Sequence, residues 1–386
     1  MILSRRQRMM STLRGEEVDR PAFNFYELNG LTEKLDDQDP FNIYNHPSWR
    51  PLLEMTAAMT DRIVMQGVPF KDAPPDPLDE LTVGKSWTEG KTRFNQTTIQ
   101  LPGNRTVTTS SQRDADVNTV WTTEHLLKDE DDLKAYLQVP PPVFGGAPVV
   151  DDVLRNEAKL GQSGIVMIDT ADPICCAASL FDMGQYTVIA MTEPGLFRRL
   201  LERFAATLLP RTEAVAKALP GRLWRICGPE YASPPYLPPA LFDDYVVRYV
   251  RPMVESIQRY GGFARVHCHG RLRAILDLIQ STGCAALDPI EPPPQGDVPL
   301  AYVRGKYGRS MVLFGNLEIS DIENLPTAEF ARKVSQALDE GTAGHGRGFV
   351  LQPSACPYGR VLPALTLRNY QEIVRIMRDR YPGTLA

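Results

Sequence analysis

The sequence predicts a single (β/α)8 barrel, known as a TIM barrel, and three observations lead to this prediction. Apolar stretches typical of strands alternate with helical stretches along most of the 386 residues. About eight such strands can be counted, which is the number that closes a parallel barrel. Polar residues follow many of these strands, at the end where such barrels carry out their chemistry. We therefore expect one domain over residues 1–386.

The predicted elements follow in chain order. A helical extension over residues 4–14, stopped by Gly15, precedes a first strand at Ala22–Glu27. The other strands are predicted to begin near residues 61, 165, 223, 263, 285, 311 and 348. The longer helices are predicted at about 48–60, 194–219, 239–260, 272–281 and 366–378.

Residues 84–123 follow a different pattern. Thr-rich runs of alternating character, such as Thr97–Leu101 and Val107–Thr109, are separated by Gly and Asn-Arg turns. Such runs are typical of hairpins. We expect an inserted antiparallel β-hairpin region that stands outside the main sheet.

Charge and hydropathy exclude several classes of partner. The net charge is −5 and the isoelectric point about 5.7, so the chain lacks the basic surface that nucleic-acid binding requires. No apolar run approaches the ~20 residues that cross a bilayer. The basic segment Met1–Arg8 lacks the apolar centre of a signal peptide. We expect a cytoplasmic protein that binds neither nucleic acid nor a membrane.

The strand that ends at Gly270 carries two of the five histidines. Side chains alternate along a strand, so His267 and His269 face the same way and Cys268 faces the opposite way. Cys356 follows the last predicted strand and opens onto the same barrel mouth. Two imidazoles and a thiolate suit zinc, and three protein ligands leave the fourth position for a substrate. The pattern predicts a catalytic zinc site, with Glu230 as a weaker ligand that a substrate could displace.

Further polar residues at strand ends are candidates for orienting a substrate or supporting the metal ligands. The predicted catalytic residues are Glu230, Tyr231 and Asn316. The predicted substrate-binding residues are Tyr26, Asp169, Asp288 and Glu291.

Four segments resemble one family. Residues 5–21, the Gly228-Pro229-Glu230-Tyr231 strand end, the His267-x-His269-Gly270 strand end and the segment 351–356 are similar to sequences of the uroporphyrinogen decarboxylase superfamily. Within it they resemble the cobalamin-dependent methyltransferase branch. Zinc-containing members of that branch carry His-x-Cys on one strand and a distant Cys. His267 and Cys356 match two of these positions, and His269 stands where the family has Cys. A register shift would instead recruit Cys268.

The resemblance implies a zinc-dependent methyltransferase that moves a methyl group between a small substrate and a corrinoid. The substrate would be a methyl ether, a methylamine-type donor or a thiol. A partner protein would carry the corrinoid, because the chain lacks the Asp-x-His-x-x-Gly signature of cobalamin domains. Homodimers are common in the family.

Three alternatives stay open. A uroporphyrinogen decarboxylase would hold substrate carboxylates with an Arg-rich segment after the first strand, where Glu27–Leu31 stands instead. A zinc hydrolase would use metal-bound water as its nucleophile. A non-catalytic module for a small molecule or a corrinoid protein would keep the fold alone.

Overall fold

The computed structural model describes residues 2–385, and the predicted domain limits at residues 1 and 386 lie outside the described residues. Eight strands form one parallel sheet: β1 (Ala22–Phe23), β2 (Arg62–Gln66), β9 (Gly164–Ala171), β10 (Leu223–Cys227), β11 (Phe263–Cys268), β12 (Ala286–Pro289), β13 (Val312–Leu317) and β14 (Phe349–Pro353). Six strands lie between β2 and β9: β3 (Phe70–Lys71), β4 (Thr82–Glu89), β5 (Thr92–Leu101), β6 (Arg105–Asp114), β7 (Trp121–Glu124) and β8 (Ala147–Pro148).

Helices connect the strands of the parallel sheet. The first seven are α1 (Arg5–Arg14), α2 (Arg50–Met59), α3 (Glu130–Tyr136), α4 (Asp151–Leu160), α5 (Pro173–Ala178), α6 (Met183–Thr192) and α7 (Pro194–Ala218). The others are α8 (Pro239–Phe242), α9 (Arg248–Arg259), α10 (Leu276–Ser281), α11 (Leu300–Tyr307), α12 (Ile319–Asn324), α13 (Thr327–Gly341) and α14 (Ala364–Arg380). A π-helical turn, Asp243–Val247, joins α8 to α9.

The eight parallel strands curl into the predicted barrel. Their order is β1-β14-β13-β12-β11-β10-β9-β2, so each strand from β9 to β13 pairs with its successor and β14 pairs with β1. The two ends of this sheet meet where the amide N–H of Asp61 donates to the Phe23 carbonyl at 2.8 Å. The Asp61 carboxylate in turn accepts a hydrogen bond from the Phe23 amide at 2.9 Å. One residue therefore links β1 to the start of β2.

The N-terminal extension forms as predicted because both ends of α1 are capped. The Ser4 side chain accepts from the Gln7 amide, and the Gln7 side chain accepts from the Ser4 amide, which is a capping box. Gly15 ends the helix with φ 75°, a left-handed conformation that glycine adopts without a steric penalty.

Apolar side chains form two layers. The inner layer fills the barrel with residues from α1 and seven strands: Met9, Leu13, Ala22, Ile63, Ile165, Met167, Leu223, Ala286, Val312, Phe314 and Val350. A larger outer layer packs the opposite strand faces against the helices. Because α1 supplies Met9 and Leu13 to the inner layer, it closes the N-terminal end of the barrel, and only the C-terminal end stays open.

The inserted region is an antiparallel sheet in the order β4-β5-β6-β7, over residues 82–124. Its location agrees with the predicted span of about 84–123. Ile99, Leu101 and Val107 belong to the outer apolar layer and hold one end of the insertion on the barrel. No helix within residues 2–385 combines the length and the apolar character needed to cross a bilayer.

Candidate functional site

The strand β11 presents Arg265 and His267 on one face, because the two residues are separated by one position. Both side chains are buried, and β12 lies beside them with Asp288 opposite His267. This register places one carboxylate between a guanidinium and an imidazole at the C-terminal end of the barrel.

Asp288 connects the two residues of β11. Its Oδ1 atom lies 2.9 Å from Nε of Arg265, and its Oδ2 atom lies 2.9 Å from Nδ1 of His267. Burial works against the charged form of Asp288, but the charges of Arg265 and His267 outweigh it and lower its pKa to about 2. The carboxylate is therefore ionised and fixes the orientation of the His267 ring.

A second carboxylate supports His269. Nδ1 of His269 lies 2.8 Å from Oε1 of Glu291, and the Gly270 amide donates to Oε2 at 2.7 Å. Burial disfavours the charged imidazole, but the hydrogen bond and charge of Glu291 prevail and raise the pKa of His269. The two imidazole centroids lie 4.6 Å apart at an interplanar angle of 85°. The prediction that both histidines share one face is confirmed by this contact.

Two residues at the mouth have a backbone conformation that L-residues rarely adopt. Tyr26 has φ 48°, and Ile290, directly before Glu291, has φ 54°. For a β-branched residue such as Ile290 this conformation costs about 1–3 kcal/mol. The surrounding structure maintains this strained conformation, and the next residue, Glu291, binds His269.

A guanidinium on β10 organises the opposite wall. Arg225 binds Asp169 through two hydrogen bonds of 2.7 and 3.2 Å and donates to the Tyr26 hydroxyl at 2.6 Å. The Tyr26 ring stacks on His267 with centroids 5.9 Å apart. Asp169 and Tyr26, both predicted to bind substrate, therefore hold Arg225, and Tyr26 also covers one side of His267.

His269 lies at the edge of an open cleft of about 350 Å³. Predicted site residues Glu230, Tyr231 and Glu291 line the same cleft. The remaining lining residues are Met183, Ser233, Pro234, Pro235, Tyr236, Gly270, Arg271 and Gln295. This volume suits a small molecule. The cleft is therefore the candidate substrate site.

Asn316 is separated from this cleft. It lines another cavity of about 320 Å³, together with Glu318 and the ion pair between Asp321 and Lys333. The structure thus does not bring Asn316 together with Glu230 and Tyr231, although all three are predicted catalytic residues.

Cys356 also takes a different position from the one its predicted role requires. Its thiol donates to Oε2 of Glu27 at 3.4 Å, at the exit of β1. Burial and the neighbouring Glu27 carboxylate raise the pKa of this thiol, which disfavours the thiolate form. Cys268 is fully buried in the outer apolar layer, where strand alternation places it.

The predicted zinc ligands are therefore only partly assembled. Within residues 2–385 no group of three or more His, Cys, Asp or Glu side chains is arranged to hold a metal ion. His267 and His269 have the carboxylate support typical of histidine ligands. Cys356 does not join them, so the donor set as it stands does not fit a three-ligand zinc site.

The sequence reasoning missed three functional-site residues. Arg225 and Arg265 lie inside the barrel mouth, and Gln352 on β14 contacts the Asp288 carboxylate at 3.4 Å. Arg265 could have been found, because it lies two residues before His267 and alternation puts both on one face.

Comparisons with known proteins place the chain in context. The family model described as uroporphyrinogen decarboxylase matches residues 120–380. No curated protein sequence matches the chain significantly. A solved methyltransferase structure from Methanosarcina mazei superposes with a TM-score of 0.58 at 14% identity, covering 98% of this chain and 99% of that one.

Two other solved structures are much less similar. One is a D-psicose 3-epimerase in the presence of D-fructose, with a TM-score of 0.31 and 9% identity over 61% of this chain and 94% of that one. The other is an IOLI protein with a bound zinc atom, with a TM-score of 0.32 and 10% identity over 67% of this chain and 88% of that one. Neither contributes to the argument about function.

Proposed function

Since the chain belongs to the uroporphyrinogen decarboxylase family, we propose that it is a corrinoid-dependent methyltransferase that acts on a small methylated substrate. The observation that carries this proposal is the pair of carboxylate-supported imidazoles, His267 and His269, at the open end of the barrel. The full-length resemblance in fold to a methyltransferase supports it.

The chemistry proposed for His269 follows from its hydrogen bond. Because Nδ1 donates to Glu291, Nε2 is the atom that gains or loses a proton. No protein group among residues 2–385 bonds to Nε2, and the ring lines the cleft. A protonated Nε2 can donate to the oxygen, nitrogen or sulfur that leaves when its methyl group is removed. His267, held by Asp288 and stacked on Tyr26, keeps the His269 ring in place.

The cofactor of this proposal is a corrinoid on a separate protein, which would face the barrel mouth. When bound, it supplies the cobalt centre that exchanges the methyl group. The chain's own contribution is to bind the substrate in the cleft and to protonate the leaving atom.

The charges at the mouth argue against decarboxylation of a substrate with many carboxylates. Such a substrate needs unpaired cations to bind it. Arg225 and Arg265 are already neutralised by Asp169 and Asp288. This leaves Arg271 as the single arginine or lysine among residues 2–385 that lines the cleft. One such cation does not match a substrate with many carboxylates. Methyl transfer is therefore the preferred function, and decarboxylation is the alternative to test against it.

Zinc remains a prediction from the sequence, and no step of the proposal passes through a metal. Elemental analysis of the purified protein tests it directly. About one zinc per chain, lost in both His267→Ala and Cys356→Ser, would mean that the two residues move together when metal binds. Zinc retained in Cys356→Ser would exclude that thiol as a ligand.

The function is tested by following the cobalt spectrum. Purified protein is mixed with cob(I)alamin and candidate methyl ethers or methylamines, and separately with methylcobalamin and thiols. We expect methylation or demethylation of cobalt with at least one compound, and its loss in His269→Gln. His345→Gln is the matched control, because His345 is exposed in the loop between α13 and β14 and does not line the cleft. No cobalt change with any compound, together with release of CO₂ from a carboxylated substrate, would overturn the proposal.

A further inference from the structure

The inserted sheet has a long open edge at β4. β4 pairs with β5 on one side and with no strand of the described residues on the other. Seven of its eight residues, from Val83 to Glu89, are exposed. An exposed strand edge of this length presents unpaired backbone groups that can pair with another strand.

The hairpin geometry predicts which backbone groups face outward. β4 and β5 are joined by the two-residue turn Gly90-Lys91, which makes Glu89 and Thr92 a hydrogen-bonded pair. Hydrogen-bonded and non-hydrogen-bonded pairs alternate in an antiparallel ladder. The backbone groups of Ser86 and Thr88 therefore point to the open edge, and those of Trp87 point to β5.

One face of the insertion carries a row of large side chains that is exposed at both ends and half-buried between them. The register places Trp87, Phe94, Gln112 and Trp121 next to one another across all four strands. Trp87 and Phe94 stack with centroids 5.3 Å apart at 14°. This row reaches the open edge at Trp87.

Two opposite charges flank Trp87 on the same face of β4. The Lys85 ammonium lies 5.1 Å from the Trp87 ring centroid, and the Trp87 indole N–H donates to Oε1 of Glu89 at 2.8 Å. Lys85 lies two residues before Trp87 and Glu89 two residues after it, so the three side chains share one face of the strand.

From this spacing we propose that β4 pairs antiparallel with β4 of a second copy of the chain, with the twofold axis at Trp87. In this register Lys85 lies opposite Glu89 of the second copy, and the same contact repeats on the other side of the axis. Outward-facing Ser86 and Thr88 exchange backbone hydrogen bonds. The two inserted sheets become one eight-stranded sheet, and the aromatic rows of both copies meet.

Other registers are less favourable. Centring the axis on Lys85 places two ammonium groups opposite each other, which is destabilising. Centring it on Ser86 places Lys85 opposite Trp87 and leaves Glu89 without a cation. A shift by one residue would pair odd-numbered residues of one copy with even-numbered residues of the other. The aromatic side chains of the two copies would then lie on opposite faces of the joined sheet. Lysine often discourages pairing at sheet edges, but here the same register gives each lysine an acidic partner.

Charge reversal tests this proposal independently of the enzymatic activity. Sedimentation velocity of the full chain between about 1 and 100 μM would measure the dimer dissociation constant. Lys85→Glu and Glu89→Lys each create two like-charge contacts and should weaken the dimer about tenfold. The double variant Lys85→Glu/Glu89→Lys restores both pairs, and its dissociation constant should return to within about threefold of the wild type.

A cross-linking experiment fixes the register. At a non-hydrogen-bonded pair the two Cα atoms lie about 4.5 Å apart, within the range that a disulfide spans. Trp87→Cys should therefore give a cross-linked dimer under mild oxidation. Trp121→Cys is the matched control, because Trp121 is similarly exposed (41% against 36%) but lies on the strand farthest from the edge. A monomer at all concentrations, a dimer insensitive to both single reversals, or equal cross-linking of the two cysteine variants would overturn the proposal.

Discussion

Both ends of the barrel bury charged side chains, but the two ends satisfy those charges differently. At the N-terminal end, Asp61 accepts from Arg8 at 2.7 Å and from Arg20 at 2.7 Å, and all three side chains are at most 1% exposed. At the C-terminal end, Asp288 is paired with Arg265 and His267, and Glu291 with His269.

The difference is that the carboxylates at the C-terminal end also bind imidazoles. A guanidinium stays charged at all ordinary pH values and here binds groups of the protein itself. An imidazole has a second nitrogen, and at His269 that nitrogen is left for the cleft. The closed end therefore contributes stability, and the open end contributes chemistry, which is the usual division in these barrels.

Asp61→Asn should have the largest effect on stability. It leaves the two arginines without their shared countercharge and weakens the link between β1 and β2. Breaking a buried ion pair costs about 3–5 kcal/mol of unfolding free energy. Urea denaturation measures this loss.

The control is Asp152→Asn, which removes an ion pair with Arg155 whose side chains are 60% and 61% exposed. Exposed pairs contribute about 0–1 kcal/mol, so this variant should unfold close to the wild type. Equal losses of unfolding free energy in both variants would contradict the proposal that the buried ion pairs of the closed end stabilise the fold.

His269→Gln should show the opposite behaviour, with a large loss of activity and little loss of stability. Removing a positioned acid typically lowers the rate by about 10²–10⁴-fold. The side chain lines the cleft, so its replacement leaves the apolar layers intact. Steady-state kcat and urea denaturation on the same preparation separate the two effects. If His269→Gln lost stability and activity in parallel, the open end would contribute to stability as the closed end does, and the two ends would not differ in role.

Glu291→Gln sharpens the assignment of the proton to His269. In the wild type Glu291 raises the pKa of His269, so the protonated form that the proposed mechanism requires persists to higher pH. Without the carboxylate this pKa falls, and activity should be lost at a lower pH as the pH rises. The alkaline limb of the pH–kcat profile should move to lower pH, with a loss of about 10–100-fold near neutrality. An unchanged limb would show that another group supplies the proton.

The fold could be predicted further than the site because periodicity is a local signal. All eight barrel strands lie where alternation of strand and helix patterns places them, and the insertion was recognisable from its Thr-rich runs. The pairing of His267 with His269 follows from strand alternation alone.

Contacts between residues that are far apart in the sequence carry no local signal. Cys356 lies in a loop after β14, and its thiol donates to Glu27, which follows the neighbouring strand β1. Asn316 lies on a strand whose exit faces a different cavity. Strand order could suggest that these residues share one barrel end, but side-chain direction in loops depends on packing that a single sequence does not specify.

Acid titration gives the smallest expected effect and tests the closed end again. Burial opposes ionisation of Asp19, but the hydrogen bonds from Arg8 and from the Leu3 amide outweigh it and lower its pKa. The folded state therefore holds this carboxylate ionised at a pH where the unfolded chain is protonated. Its stabilising contribution is complete above the unfolded pKa of about 3.9 and is lost as the pH falls through the lower folded value.

Asp19→Asn should consequently cost about 2 kcal/mol at pH 6, the net contribution typical of a hydrogen bond to a charged group. The difference from the wild type should shrink as the pH falls below about 3.9, because the unfolded wild-type chain then gains a proton. It should be smallest once the folded carboxylate is protonated too. Urea denaturation at several pH values measures both quantities. The pKa of His269 is raised above the ordinary value of an imidazole, so a difference that instead changes near or above neutral pH would mean that the closed end is coupled to the open end. That result would contradict the independence of the two charge networks.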